Sequence, residues 1–376
     1  MKTAFDEAAF SEFLKHGWCL GCGPDSILVG WGSATWVSDP IEGALYAPGF
    51  YLREPRPWLV SPKWSLIDRS SFSSLVLSKL TPEVNADLTA EPQGFRWVEP
   101  ELSNFERQFE IIRQGFSARG LEKAVPLVHA QAREIVKPQR LKQILMRIAQ
   151  PQENLIPYGF WSFEGDIREG MIGATPEILF SNRAGRADRQ AARIDTMALA
   201  GTRAKSSGAD AARALLTDPK ERHEHQIVVD DIMVELSQFG DMDVGETAVV
   251  ELPTLFHLKT PISIEFREDP QFEAVVRALH PTPALGVSPR SLSFTEIARW
   301  DDVKWRGRYG APFGVFARDG DGQPLLECVV AIRNVRWHDD VIRLSAGCGI
   351  VPESQLEREW AELAEKRDSV KRILGV

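Results

Sequence analysis

The sequence is poor in the residues that most often advertise a function. Its 376 residues include four cysteines, seven histidines and four tyrosines. Cys19 and Cys22 form a C-x-x-C, but a zinc site of that kind would show a second such pair or paired histidines, and neither is present. The pair is expected to be buried or partly exposed thiols in a Gly-rich turn rather than a metal or redox centre. Cys328 and Cys348 lie far off and lack partner-like spacing. No stretch approaches the roughly 20 apolar residues of a membrane span. The opening MKTAFDEAAFSEFLKHGW carries acids and lacks the apolar centre of a signal peptide. It reads as an amphipathic helix, and the protein is expected to be cytoplasmic. Positive charge is also short: 44 Lys and Arg against 53 Asp and Glu give a formal net charge of -9. That excess of acid argues against nucleic acid or an anionic membrane as partner.

Repeats, low-complexity tracts and Pro/Ser linkers are missing as well. The chain therefore reads as one large α+β domain. Residues 1–105, rich in Trp, Pro and Gly with strand-like runs SILVGWG and GALYAP, are expected to complete the domain formed by residues 106–376. With 43% hydrophobic residues, a chain of this length can bury a large core without disulfides or a structural metal. A helix is predicted over about 104–120 from apolar spacing of three and four.

Two acidic helices stand out beyond it. In LLTDPKERHEHQIVVDDI (215–232), Asp218 suits the N-cap, Pro219 the first helical position, and Glu221 the acid of a capping box. Glu224 lies three residues further on the same face, with His223 and His225 on others. In PESQLEREWAELAEKRDSV, Ser354 and Glu357 again form a capping-box pattern, and Leu356, Trp360, Leu363 and Ala364 mark the buried stripe. Glu359, Glu362 and Lys366 share a face. Alone, each helix face is a solvated, salt-bridged surface. Brought together, the glutamates would suit a hard divalent cation such as magnesium.

Glycine punctuates the segments between. RLSAGCGIVPES places Gly347 and Gly349 between a predicted strand and the second acidic helix, where backbone N–H groups can meet an anion. ALAGTRAK (198–205) and LHPTPALG (279–286) read as loops. WRGRYGAPFGVF (305–316) sets Arg306, Arg308 and Tyr309 beside a bend, and the predicted strand ECVVAIRNV carries Arg333. An arginine there needs a partner, a structural carboxylate or one brought by a substrate.

Taken in order, GATPEILF, LAGTR, DPKERHEH, FHLKTPI, LHPTPALG, RGRYGAPFG, AIR, AGCGIV and EREWAELAEK resemble the chorismate-utilising enzymes over roughly residues 105 to 376. That family includes anthranilate, aminodeoxychorismate, isochorismate and salicylate synthases. The resemblance implies a large single-domain sandwich of two antiparallel sheets flanked by helices, with the site between the sheets. It implies chorismate as substrate and Mg2+ as cofactor. Glu224 and Glu362 would be direct ligands, with Glu221 and Glu359 close by or acting through water. Lys366 and the amides around Gly347 and Gly349 would meet the ring carboxylate. Tyr309 and Arg333 match positions that hold the enolpyruvyl carboxylate.

The family's branches differ in the nucleophile. Ammonia-using members carry a glutamine-type residue before GATPE, and water-using members carry a lysine base. In GLEKAVPLVHA the lysine in register is Lys123, although K-A-V-P departs from the usual K-V-V-L-S-R and places Pro126 in the run. With Lys123 as base and Glu177 as acid, the resemblance implies hydration at ring C2 with loss of the C4 hydroxyl, an isomerisation to isochorismate. Gly201, Thr202 and His257 would support the ring and leaving group. ECVVAIR and HLKTPI resemble the siderophore-type isochorismate synthases. Salicylate synthase is the sister reading, followed by an anthranilate or aminodeoxychorismate synthase component and by a non-catalytic chorismate binder. Menaquinone, siderophore and salicylate pathways all consume isochorismate. A water-using enzyme implies no glutaminase subunit, and a monomer or weak homodimer is expected.

Overall fold

The computed structural model describes residues 3–78, 94–150, 152–163, 168–182, 192–267, 271–301, 303–318 and 322–376. Two antiparallel sheets lie face to face. Across the eight-stranded sheet, the neighbours run Lys63–Asp68, Ser26–Trp31, His16–Cys22, Ile156–Ser162, Glu169–Thr175, Asn334–His338, Val341–Gly347 and Leu127–Arg133. The ten-stranded sheet runs Gly240–Val244, Leu255–Phe266, Ala192–Ala204, Ile178–Ser181, Pro324–Val330, Pro312–Arg318, Ala44–Tyr46, Trp58–Val60 and Thr35–Val37, with Ala248–Glu251 also paired to Leu255–Phe266. Strands from the first seventy residues thus enter both sheets.

Alternation along the strands divides the core into layers. Trp18, Leu20, Leu28, Tyr158 and Met171 meet Leu45, Phe313, Val315 and Val329 between the sheets. The opposite face of the eight-stranded sheet packs on the Glu7–Phe13, Pro138–Ala149 and Leu356–Leu374 helices through Phe10, Phe13, Leu141, Leu145 and Val370. A third cluster joins the ten-stranded sheet to the Leu102–Ala118, Pro219–Leu236 and Phe272–Leu279 helices. The order is helices, sheet, sheet, helices. The expected α+β sandwich is the observed fold.

Several local expectations change. Cys19 and Cys22 sit in the strand His16–Cys22, not in a turn. Three residues apart on a strand, they enter different cores, Cys19 on the helical side and Cys22 between the sheets. They cannot share a metal or a disulfide, and burial pushes the Cys19 thiol up to about 12. ALAGTRAK is not a loop: all but its last residue lies in the strand Ala192–Ala204, where Gly201, at φ 74°, marks a register shift against Leu255–Phe266. Glycine breaks the sequence pattern there, while the strand continues through a bulge. Arg333 lies outside any strand, in the crossing from Pro324–Val330 to Asn334–His338, with φ at 56°. Among the described residues, no helix is long and apolar enough to cross a membrane.

Candidate active site

The chain crosses between the sheets beside the cavity at two places. Pro176–Glu177 joins Glu169–Thr175 to Ile178–Ser181, and Ala331–Arg333 joins Pro324–Val330 to Asn334–His338. The crossings are tied to each other: Val330 N–H donates to the Glu177 carbonyl (3.0 Å) and Ala174 N–H to that of Arg333 (3.2 Å). Tyr158 OH adds a hydrogen bond to the Ile332 carbonyl (2.7 Å). The cavity beside them is walled by Glu177, Gly201, Thr202, Glu224, His257, Tyr309, Arg333, Gly347, Gly349 and Lys366, with Ala284 and Leu285 of LHPTPALG.

On the ten-stranded sheet, the Gly201 bulge turns the next residue towards the Pro219–Leu236 helix. Thr202 N–H donates to Glu221 Oε2 at 2.8 Å. The Thr202 hydroxyl lies 3.0 Å from His257 Nδ1, and the Gly201 carbonyl 3.2 Å from the same nitrogen. Arg333 Nη2 is 3.0 Å from His257 Nε2. A guanidinium only donates, so Nε2 accepts and Nδ1 carries the proton. Burial, then Arg333 and Lys366, keep this histidine neutral. Among the described residues, no carboxylate is ion-paired with Arg333; its other hydrogen bond goes to the Lys366 carbonyl at 3.5 Å.

Asp218 caps its helix as expected, accepting from Lys220 N (3.0 Å) and Glu221 N (3.3 Å). Glu221 does not complete a capping box; its carboxylate points to Thr202. His225, on another face, is buried between the Ala200 carbonyl and Thr260. The C-terminal helix runs Leu356–Leu374 from Gln355, without a side-chain cap. Ser354, expected as cap, accepts from Val351 N–H instead.

The two acidic helices do meet. Their meeting point is Lys220, a residue the sequence patterns passed over. Its Nζ lies 3.2 Å from Glu221 Oε1, 3.0 Å from Glu224 Oε2 and 3.0 Å from Glu359 Oε1. A signal was present in DPKERHEH: a lysine in the first helical turn opposes the helix dipole and calls for a compensating partner. Glu362 faces Lys366 Nζ at 2.6 Å, and that ammonium also donates to the Gly347 carbonyl (2.8 Å).

Lys123 forms a two-residue strand with Ala124 against Val287–Ser288. Pro126 falls between this strand and Leu127–Arg133, so the departure from the usual run leaves Lys123 beside the site. Fully buried, it stands behind the cavity wall with Nζ 3.2 Å from Glu224 Oε1. Gly349 makes this contact feasible, since a Cβ there would lie 2.0 Å from Glu224 Oε1 and 2.6 Å from Lys123 Cε.

Burial and mutual charge set the protonation. Burial lowers the Lys123 pKa; Glu224 opposes this, and Lys220 and Lys366 add to it. Burial raises Glu177 to about 7 despite Lys123, Lys366 and Arg333. Burial would raise Glu224 too, but Lys220, Lys123 and Lys366 outweigh it and hold that carboxylate down at about 2. Glu221 goes up to about 8 and Glu359 to about 7, through burial and neighbouring glutamates, with Lys220 acting against both.

No three carboxylates of the described residues converge tightly enough to form a finished metal centre. Even so, oxygens of Glu221, Glu224 and Glu359 already surround one cation, the Lys220 ammonium, and Glu359 Oε2 is buried with no hydrogen-bond partner among the described residues. This donor set fits a hard divalent ion after contraction from about 3 Å to the 2.0–2.1 Å of magnesium–oxygen bonds. A second cavity, of about 390 Å3 among His16, Trp18, Trp36, Phe160 and Glu169, has no lysine or arginine among the described residues of its lining to receive a dianion.

Comparison with known proteins supplies a family. Residues 72–375 match the family described as "Chorismate binding enzyme". The salicylate-biosynthesis isochorismate synthase of Pseudomonas aeruginosa is 35% identical over 210 residues, 54% of this chain and 42% of that protein. Isochorismate synthase EntC of Escherichia coli is 30% identical over 226 residues (57% and 54%), and an anthranilate synthase component 1 of Aeropyrum pernix 31% over 216 (55% and 46%). The matched stretch thus spans about half the length of these curated relatives. Among solved structures, the menaquinone-specific isochorismate synthase MenF of Escherichia coli superimposes with a TM-score of 0.73 at 20% identity, covering 99% of this chain and 92% of that one. Anthranilate synthase component I of Streptococcus pneumoniae gives 0.62 at 19% identity (87% and 76%). At such identities the likeness is one of fold.

Proposed function

Because this chain belongs to the chorismate-binding enzyme family, we propose that it is an isochorismate synthase, a magnesium-dependent isomerase adding water at ring C2 of chorismate and releasing the C4 hydroxyl. Relatives named isochorismate synthase and relatives named anthranilate synthase are of similar identity, so the branch is argued from the site. The observation that carries it is a fully buried lysine, Lys123, near a carboxylic acid, Glu177, whose pKa stands at about 7. One group is biased towards its neutral, basic form and the other towards its neutral, acidic form. That is the pairing needed for removing a proton from water and giving one to a leaving hydroxyl.

Lys123 takes a proton from water as the C2–O bond forms. Glu177 gives its proton to the C4 oxygen, which departs as water while the ring double bonds shift. One water enters and one leaves, and one proton returns from Lys123 to Glu177 to reset the site. Arg333, without a carboxylate of its own, and Tyr309 receive the enolpyruvyl carboxylate. Lys366, with the backbone at Gly347 and Gly349, meets the ring carboxylate. Thr202 and the neutral His257 border the ring and the departing hydroxyl. Bound magnesium would supply an electrophilic anchor for the ring carboxylate, with Glu221, Glu224, Glu359 and Glu362 the residues that would hold it. Water as nucleophile requires no glutaminase subunit, and the enzyme is read as a cytoplasmic monomer or weak homodimer.

The test is incubation of purified protein with chorismate and MgCl2, followed by chromatographic separation of products. Isochorismate is expected. Salicylate with pyruvate would transfer the chain to the sister activity, anthranilate formed with ammonium would overturn the role of Lys123, and binding without turnover would leave a chorismate binder.

A further inference from the structure

Lys220 has no part in the chemistry above, yet it occupies the most highly charged point of the site. We propose that its ammonium is a tethered counter-ion that fills the cation position among Glu221, Glu224 and Glu359 in the metal-free protein and is expelled when magnesium enters, so that Lys220 sets the magnesium affinity. The inference rests on the magnesium-dependent reading of the site and deepens it.

Three observations support it. The ammonium touches three carboxylates from both acidic helices, at 3.2, 3.0 and 3.0 Å, whereas Lys123 and Lys366 each pair with a single glutamate of those helices, Glu224 and Glu362 respectively. Next, Lys220 lies in the first turn of its helix, against the dipole, and its side chain is only 16% exposed. A lysine stem is long enough to reach solvent from such a position, so the inward pose reflects attraction to the acids. Last, Glu359 Oε2 is buried with no hydrogen-bond partner among the described residues. An ammonium has three donors, all directed to other oxygens here, whereas a six-coordinate ion has room for that atom as well.

The two cations exclude each other. Magnesium needs oxygens at about 2.0–2.1 Å, and the space it would occupy is the one the ammonium holds. Lys220 is flexible over four methylenes and can withdraw, but it must first give up three contacts with carboxyl oxygens. Magnesium binding by the wild type is therefore weakened by the protein's own side chain. Substitution by an uncharged residue removes the competitor and leaves the acids under-neutralised until metal arrives.

The experiment uses the full chain, stripped of metal, as wild type and as Lys220→Gln, titrated with MgCl2 by calorimetry, with and without chorismate. Lys220→Gln should bind magnesium at least tenfold more tightly. Its metal-free Tm should fall below that of wild type, and MgCl2 should raise it more. Equal or weaker binding by the variant, with the ion still binding to wild type, overturns the role of Lys220 and leaves the magnesium reading standing. No binding to either protein under any condition overturns both. Should Lys220→Gln fail to fold, the wild type is tested directly through the side-chain 15N resonance of Lys220. That ammonium signal should be present without metal and lost on saturation with MgCl2; an unchanged signal at saturation overturns the proposal.

Discussion

Burial acts in opposite senses on Glu177 and Lys123, and each sense is measurable. In the folded protein Glu177 keeps a proton up to pH about 7, above the ordinary value of 4.5. Between these values the folded state holds a proton that the unfolded chain has released, so this residue withdraws stability as pH rises, by about 3 kcal/mol once fully ionised. Glu177→Gln should therefore unfold at higher urea than wild type at pH 8, while the gap narrows towards pH 5. The same substitution removes the acid, and in wild type kcat should fall as pH climbs through about 7. A variant that lost activity without gaining stability at pH 8 would contradict the burial argument. Lys123→Gln should slow water addition roughly a hundred- to ten-thousand-fold, the usual contribution of a general base, with chorismate binding retained; near-normal turnover would remove Lys123 from the mechanism. The sequence pointed to Lys123, Glu177 and the four glutamates through the order of motifs around them. It did not point to Lys220, whose role depends on the packing of two helices some 140 residues apart.

The elements were legible where a local interaction decides them. Asp218 and Pro219 begin their helix as their types predict, because the cap satisfies N–H groups next door in sequence. Asp218→Ala should cost about 1 kcal/mol or somewhat more in a urea titration, since it also loses its 2.7 Å ion pair with Arg203. Elements governed by a distant neighbour were misread. Gly201 signalled a loop, yet pairing with Leu255–Phe266 carries the strand past it. Arg333 signalled a strand residue, yet the change of sheet bends the chain at that point. Gly349 was read for its backbone N–H towards an anion, and what its missing side chain also spares is room for Glu224 and Lys123. Gly349→Ala should leave the far-ultraviolet circular dichroism unchanged and reduce kcat by about a hundredfold, the scale of a displaced catalytic group. Full activity in that variant would show that Glu224 shifts without consequence.

At the scale of the whole molecule, the family match starts at residue 72, but the sandwich starts earlier. Residues before 72 supply three strands to an edge of each sheet: His16–Cys22, Ser26–Trp31 and Lys63–Asp68 in one, Thr35–Val37, Ala44–Tyr46 and Trp58–Val60 in the other. Their side chains Trp18, Leu28, Leu45 and Trp64 fill the layer between the sheets. A chain of residues 72–376 should accordingly be insoluble, or bind a dye for exposed apolar surface with loss of near-ultraviolet dichroism; a compact, cooperative fold from that fragment would show two separable domains. The first hundred residues carried no motif to announce this. Their short apolar runs marked strands, and nothing local said which strands they would join. The two sheets are also pinned to each other at the crossings that carry Glu177 and Arg333, whose carbonyls accept hydrogen bonds from Val330 N–H and Ala174 N–H. A sandwich accommodates strain by letting its layers slide, and sliding would alter most spans from one layer to the other, but not this one. The Glu177 carboxyl and the Arg333 guanidinium therefore form a gauge of fixed length. The two glutamate-bearing helices, joined to each other through Lys220, reach the same cavity with Glu224 and Lys366 and stand beside that gauge as separately mounted parts.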